Sequence, residues 1–165
     1  MSQRDYNSPS FSPNGCGCLV LLILLTPVIG VLVFSSFFLC NANGARQSEA
    51  KQYVGSMNRA QQANFAENGT FATSVDALGL GIKTETTNYK YSTRATKTAA
   101  FNYGVSKQKT EKSYVVGVFL VDAGEAKTTR SILCEADSPG TIKPAEPIYQ
   151  NGKLICGKGT TEVTK

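Results

Sequence analysis

The sequence predicts an α+β fold in which an N-terminal transmembrane helix leads into an amphipathic helix packed on a four-stranded antiparallel sheet, closed by a C-terminal disulfide loop. Three observations predict it. Leu19–Leu39 (LVLLILLTPVIGVLVFSSFFL) contains no formal charge. At about 1.5 Å per helical residue it matches the ~30 Å hydrocarbon core of a bilayer. Ala45–Glu67 then carries apolar residues at three- and four-residue steps, the pattern of a helix with one buried face. From Asn88 onward the apolar period shortens to two, as strands require.

The hydrophobic run divides the chain. Residues 1–15 (MSQRDYNSPSFSPNG) are rich in Ser, Pro and Asn and are expected to be a disordered cytoplasmic tail. Residues 16–40 form the spanning helix, and residues 41–165 suffice for one domain with its own core. A cleaved signal peptide is the alternative. Its apolar core is shorter, roughly 7–15 residues, and follows a positive segment. Here Asp5 cancels Arg4, and Ala42 and Gly44 make only a marginal cleavage site. Pro27 and Gly30 interrupt the run, which is tolerated where neighbouring groups satisfy the freed carbonyl. Arg4 on one side and Arg46 and Lys51 on the other barely set orientation.

In the helix after the run, Ala50, Tyr53, Val54, Met57, Ala60 and Ala63 form the apolar stripe, with Phe65 nearby. Gln, Lys, Arg and Asn fill the other faces. Gly55 weakens the helix by about 1 kcal/mol relative to Ala, and Asn68-Gly69 ends it. Asn41–Gly44 is expected to break or bend the rod between the two helices. The loop over residues 69–87 should be pinned to the helix by Phe71, Val75, Leu78, Leu80 and Ile82.

Four strands follow, at Asn88–Thr93, Ala100–Ser106, Ser113–Val121 and Ser131–Glu135. Their connections (ATKTA, KQKTEK, DAGEAKTTR) are short and polar, which favours an antiparallel meander. Ser113–Val121 is the most apolar. It should lie centrally with its Tyr, Val and Phe side chains against the helix stripe. The remainder, from Ser138, reads as loop returning through Leu154-Ile155 to Cys156.

Composition narrows the functions. The chain has no His, which removes the commonest general base and metal ligand, so no Ser-His-Asp or Cys-His pair can be built. No enzyme, cofactor or metal site is expected. Glu135 and Asp137 are the conceivable acid pair, but solvated carboxylates on a turn are the better reading. The net charge is +5, with a local concentration at Lys107, Lys109 and Lys112. A solvated loop is preferred there, and a patch for polyanions such as nucleic acid stays open. Tyr89, Tyr91, Phe101, Tyr103 and Tyr114 on one sheet face could stack on sugars or bases, although core packing is favoured. Asn68-Gly69-Thr70 fits a glycosylation sequon and is read as a helix stop.

Of the five cysteines, Cys16, Cys18 and Cys40 flank the hydrophobic run and read as small apolar residues at a membrane edge. Cys134 and Cys156 read as a disulfide in a small exported domain. A loop of that size contributes about 3 kcal/mol in the chain-entropy model. It places the domain outside the cytoplasm, so the expected location is the inner membrane, single-pass, with the C-terminal domain in the periplasm or beyond.

Several blocks carry a family resemblance: ARQSEAKQYVGSMNRAQQANFAENGTFATSVDALGLGI (Ala45–Ile82), TTNYKYS, AFNYGV, KSYVVGVFLV and ILCEADSPGT. In this order they resemble type IV pilins and pseudopilins, in particular the G/H-type pilin-like proteins of cyanobacteria. The resemblance implies a non-enzymatic subunit in pilus or type II secretion-like assembly. Its partners would be membrane lipid and other pilins or assembly proteins. Cys134 and Cys156 match the family's C-terminal disulfide. The N-terminus departs from the pattern. Pilins carry a glycine, a phenylalanine and then a glutamate in the hydrophobic stretch, as in GFTLIE. Here Gly15 and Gly17 precede Cys16 and Cys18, and no glutamate occurs from Cys16 to Cys40. That departure leaves room for a second reading, a membrane-tethered binding module outside any filament.

Overall fold

The structure, a computed structural model, describes the backbone of residues 27–163 apart from Glu125, with side chains from Gly44 onward. The expected tail, Cys16 and Cys18, and the first part of the apolar run, Leu19–Thr26, lie outside the described residues. Helix α1 runs from Pro27 to Asn68. The break expected at Asn41–Gly44 is absent. Asn and Gly cost at most about 1 kcal/mol each in a helix interior, too little to interrupt hydrogen bonding that continues on both sides. Gly69 N–H closes the last turn on Phe65 O at 2.8 Å. Among the described residues no helix is long and apolar enough to cross a membrane. The apolar part of α1 covers only the later portion of the expected span, Pro27–Leu39. The chain divides into two compact units at Ser36/Phe37, and the sheet belongs to the second.

The sheet has five strands, not four. β1 (Tyr89–Ala95), β2 (Ala99–Ser106), β3 (Tyr114–Ala123) and β4 (Ala126–Ala136) form the expected antiparallel meander. β5 (Ile148–Gln150) and β6 (Lys153–Ile155) form a separate hairpin, and β7 (Thr160–Glu162) pairs with β4. The order β1-β2-β3-β4-β7 places the most apolar strand, β3, in the centre, as expected.

β4 begins five residues before the expected strand. Lys127, Thr128, Thr129 and Arg130 look like a connection because they are polar. They extend the ladder past the core as far as the pair Ala123–Ala126, and threonine favours the extended backbone.

α1 lies on one face of the sheet. Ala50, Val54 and Met57 are buried against Tyr89, Tyr91, Ala100, Tyr114, Val116 and Val118. Two stripe positions differ from expectation. Ala63 is exposed, and Gln61 takes the buried position one turn beyond Met57. Among the loop residues Phe71, Val75 and Leu78 are buried and Ile82 is partly so, while Leu80 is exposed.

Gln61 is buried because its primary amide imitates a paired backbone. Its Nε2 donates to Ala72 O at 2.8 Å and its Oε1 accepts Ala72 N–H at 2.8 Å. Nε2 also donates to Thr93 Oγ1 at 3.1 Å. One side chain thereby ties the helix, the following loop and β1 together.

Removing that amide leaves the Ala72 N–H and C=O buried without partners. Each such group costs about 1–3 kcal/mol. Gln61→Ala is therefore expected to lower unfolding free energy by about 2–4 kcal/mol, measured as a shifted urea midpoint. A loss within ~0.5 kcal/mol would place the loop's stability elsewhere.

Candidate functional site

The second face of the sheet is apolar as well. β3 presents Val115, Phe119 and Val121 there, the side chains that the sequence reading had placed against the helix. Ala99, Phe101, Tyr103, Ile132 and Cys134 join them. The segment from Asp137 to Gly159, which leaves β4 and returns as β7, covers this face. Three devices hold it.

The first is the disulfide. Cys134 is fully buried on β4, and Cys156 follows β6 directly. Their Cα atoms stand 5.8 Å apart and the sulfurs are bonded. The second is a close approach at Gly117. A Cβ on that residue would come within 2.6 Å of both Pro147 Cγ and the Phe119 ring, so only glycine lets the segment lie flat. Tyr149 continues the contact, its ring centroid 6.3 Å from that of Phe119.

The third device is Glu146. Its Oε1 accepts Arg94 Nε–H at 2.8 Å, while Arg94 Nη2 donates to Oε2 and the buried Tyr103 hydroxyl donates to Oε1. Lys143 Nζ lies 3.7 Å from the Tyr103 ring centroid, and Arg94 stands over Phe101 at 4.7 Å. The Arg94 hydrogen bonds hold the Glu146 carboxyl below its ordinary range, against an opposing push from burial. Burial, with the Glu146 carboxylate beside it, raises the Tyr103 phenol.

The β5–β6 hairpin turns on Asn151 and Gly152, both at positive φ (51° and 75°). Asn-Gly suits that geometry better than other pairs. This signal stood in the sequence and could have identified the hairpin, although its strands are only three residues long.

A polar belt borders the helix contact. Arg46 Nη1 meets the fully buried Glu111 Oε1 at 3.1 Å. Tyr114 donates to Gln47 Oε1 at 3.0 Å, and Tyr91 to Glu49 Oε1 at 3.4 Å. Burial first, then the Glu49 carboxylate for Tyr91 and the Glu135 carboxylate for Tyr114, raises the two phenols. Glu135 lies between Lys112 (2.7 Å) and Lys51 (3.5 Å). Burial pushes its carboxyl up, but Lys112 and its other partners bring it below the ordinary value. Asp137 instead accepts the Thr161 hydroxyl at 2.6 Å. The two carboxylates are thus engaged separately and do not form an acid–base pair.

The lysine trio is also largely neutralised. Lys107 pairs with Glu85 at 2.5 Å and Lys112 with Glu135, which leaves Lys109 without an ion pair among the described residues. The five aromatics do not share a face. Tyr89, Tyr91 and Tyr114 pack under the helix, and Phe101 and Tyr103 lie on the other side, all at most 6% exposed. They are core, and these five form no stacking platform. Among the described residues no group of three His, Cys, Asp or Glu could hold a metal ion.

Helix on one face, disulfide-closed segment on the other and meander between them are the features to compare with known proteins. The type IV pilin-like G and H family matches residues 47–157. That is about two thirds of the chain, from Gln47 within α1 to Gly157, the residue after Cys156. The chain belongs to this family. No curated protein and no solved structure matches it. In this pilin-like domain the match ends where the disulfide closes the cover, so the helix, meander and cover form the shared unit.

Two outcomes follow. Cys134→Ser is expected to lower stability by about 2–5 kcal/mol, read by denaturant unfolding. An unchanged midpoint on full reduction would contradict a stabilising role. Glu146 binds protons less readily folded than unfolded. Its contribution is present above its ordinary value of 4.5 and is lost as pH falls through the lower folded value. Stability of the parent should drop over that acidic window, and Glu146→Gln should drop less steeply. Parallel pH profiles would show that the clamp contributes nothing to linkage.

Proposed function

We propose that the protein is a non-enzymatic, membrane-anchored pilin-like subunit that acts by contact with pilus or type II secretion-like assembly proteins. The family match over residues 47–157 carries this reading. Supporting it, helix α1, whose later turns fill the domain's core, includes Pro27–Leu39 of the apolar run. In this reading that run anchors the chain in the inner membrane, and the Cys134–Cys156 bond supports a domain lying in an oxidising space outside the cytoplasm. The polar side chains that a catalyst would need are engaged in holding the helix and the cover: Glu146 with Arg94, Glu135 with Lys112, Glu111 with Arg46.

The family's usual carboxylate in the hydrophobic stretch has no counterpart here. The anchor alone therefore lacks the charge that would fix register between neighbouring helices. Recognition falls to the folded domain. A tethered ligand-binding module is the competing reading, but the aromatics that would carry it are buried.

Membrane fractionation with protease protection is the direct test. The protein should sediment with inner membrane, resist carbonate extraction and lose its domain to external protease in spheroplasts. It should co-purify with pilus or secretion assembly proteins after mild crosslinking. A carbonate-soluble protein, or one found only as an isolated membrane monomer, would overturn the proposal.

A further inference from the structure

β4 is eleven residues long, and β7 covers only its last three, Cys134–Ala136. One more bond, from Val163 N–H to Leu133 O at 3.0 Å, extends that pairing. Among the described residues no further strand stands beside β4 beyond Leu133 in the sheet order. Antiparallel ladders alternate, so every second residue directs its N–H and C=O to one neighbour and the residues between direct theirs to the other. Ala136 N–H reaches Ser113 O, toward β3, while Asp137 N–H reaches Gly159 O and Leu133 O takes Val163 N–H. The odd-numbered residues therefore face outward. Among the described residues nothing pairs with the outward main-chain groups of Ser131, Thr129 and Lys127, which present an open edge.

A groove of about 320 Å³ adjoins this edge, lined by Arg130, Ser131, Ile132, Lys153, Leu154 and Glu162 among others. Lys127, Arg130 and Lys153 form no ion pair among the described residues, although Asp122 stands opposite Lys127 in the register. Charged residues on an open edge prevent identical strands from pairing. Two β4 edges brought together would face like charges, which is unfavourable. A strand with carboxylates would meet the same positions with opposite charge. The edge therefore selects against a second copy and for an acidic partner.

We propose that the outer edge of β4, from Lys127 to Ser131, takes up an extended acidic segment of a partner polypeptide as an added strand. Main-chain bonds supply affinity, and Lys127, Arg130 and Lys153 supply selectivity. This surface does not depend on the membrane anchor, so failure of the fractionation test leaves it standing, and the reverse holds too.

The test uses the full chain in detergent with two capped peptides, Glu-Thr-Val-Thr-Glu-Val-Glu and its counterpart with Lys for Glu. Amide hydrogen exchange is followed at Lys127, Thr129 and Ser131. The acidic peptide should slow all three by about tenfold or more, and the basic peptide should not. Thr129→Pro removes an outward N–H while leaving the β3 ladder intact, and it should abolish the slowing. The double variant Lys127→Glu/Arg130→Glu should transfer the preference to the basic peptide, and it carries the test if the proline variant fails to fold. Unchanged exchange with the acidic peptide would overturn the proposal. So would equal slowing by both peptides. Slowing that grows with protein concentration alone would show that a second copy occupies the edge, and would overturn it as well.

Discussion

The domain is organised around one constraint: β3 is apolar on both sides. Tyr114, Val116 and Val118 point to one face, Val115, Phe119 and Val121 to the other, and all are at most 7% exposed. Such a strand is stable only if two separate layers exclude water from it. The sequence supplies one helix for this, and α1 takes the first face. Among the described residues no second α-helix remains for the other face, so the chain after β4 covers it with irregular backbone and a two-stranded hairpin. A cover without a ladder to the main sheet has little cooperative support of its own. That accounts for the disulfide, the Glu146 clamp and the close fit at Gly117 being found on this side and not under the helix.

The helix side is fixed in a different way. Apolar contact is non-directional, so a stripe of Ala50, Val54 and Met57 could slide along the sheet at small cost. Directional bonds prevent this. Gln61 binds the loop and β1, Asn58 Nδ2 reaches Ser131 Oγ at 3.1 Å, and the belt from Arg46 to Lys51 binds the far end. A buried polar group that loses its partner costs more than the bond itself contributes. The polar contacts thus select one seat among many that the apolar surface would accept.

This contrast explains what could be read from the sequence. The helix stripe, the four meander strands and the central place of β3 follow from periodicity, which burial on long regular elements writes strongly. The second cover writes no such pattern. Its strands are three residues long, and its fixing residues, Arg94 and Glu146, are ordinary surface types 52 positions apart. Only Asn151-Gly152 and the late cysteine pair announced it. The aromatic residues were assigned to one face because period two fixes sides only within a strand. Whether Tyr103 shares a face with Tyr91 depends on register, and Tyr91 stands opposite Gly104 while Tyr103 stands opposite Ser92. Gln61 and Ala63 exchanged expected roles because a glutamine that satisfies both amide atoms can be buried, and periodicity of apolar residues cannot see that.

The cover also bears on where recognition takes place. Ile148 and Ile155 face each other across the β5–β6 hairpin and are 48% and 45% exposed. An exposed apolar pair of this kind invites a docking interpretation. Local physics already explains it. Alternation turns Leu154 and Tyr149, the latter still 39% exposed, toward the sheet, so Ile148 and Ile155 point away from it. A three-residue hairpin needs strong cross-strand pairs, and β-branched residues provide up to ~1 kcal/mol there. Those isoleucines hold the hairpin that holds the cover. The outward main-chain edge of the polar, threonine-rich half of β4 has no such structural duty. That half extends beyond the apolar core, and while its inward main-chain groups pair with β3, the outward groups of Lys127, Thr129 and Ser131 have no partner among the described residues. A strand that projects past the core it belongs to needs a reason outside the fold, and an added strand from a partner supplies one.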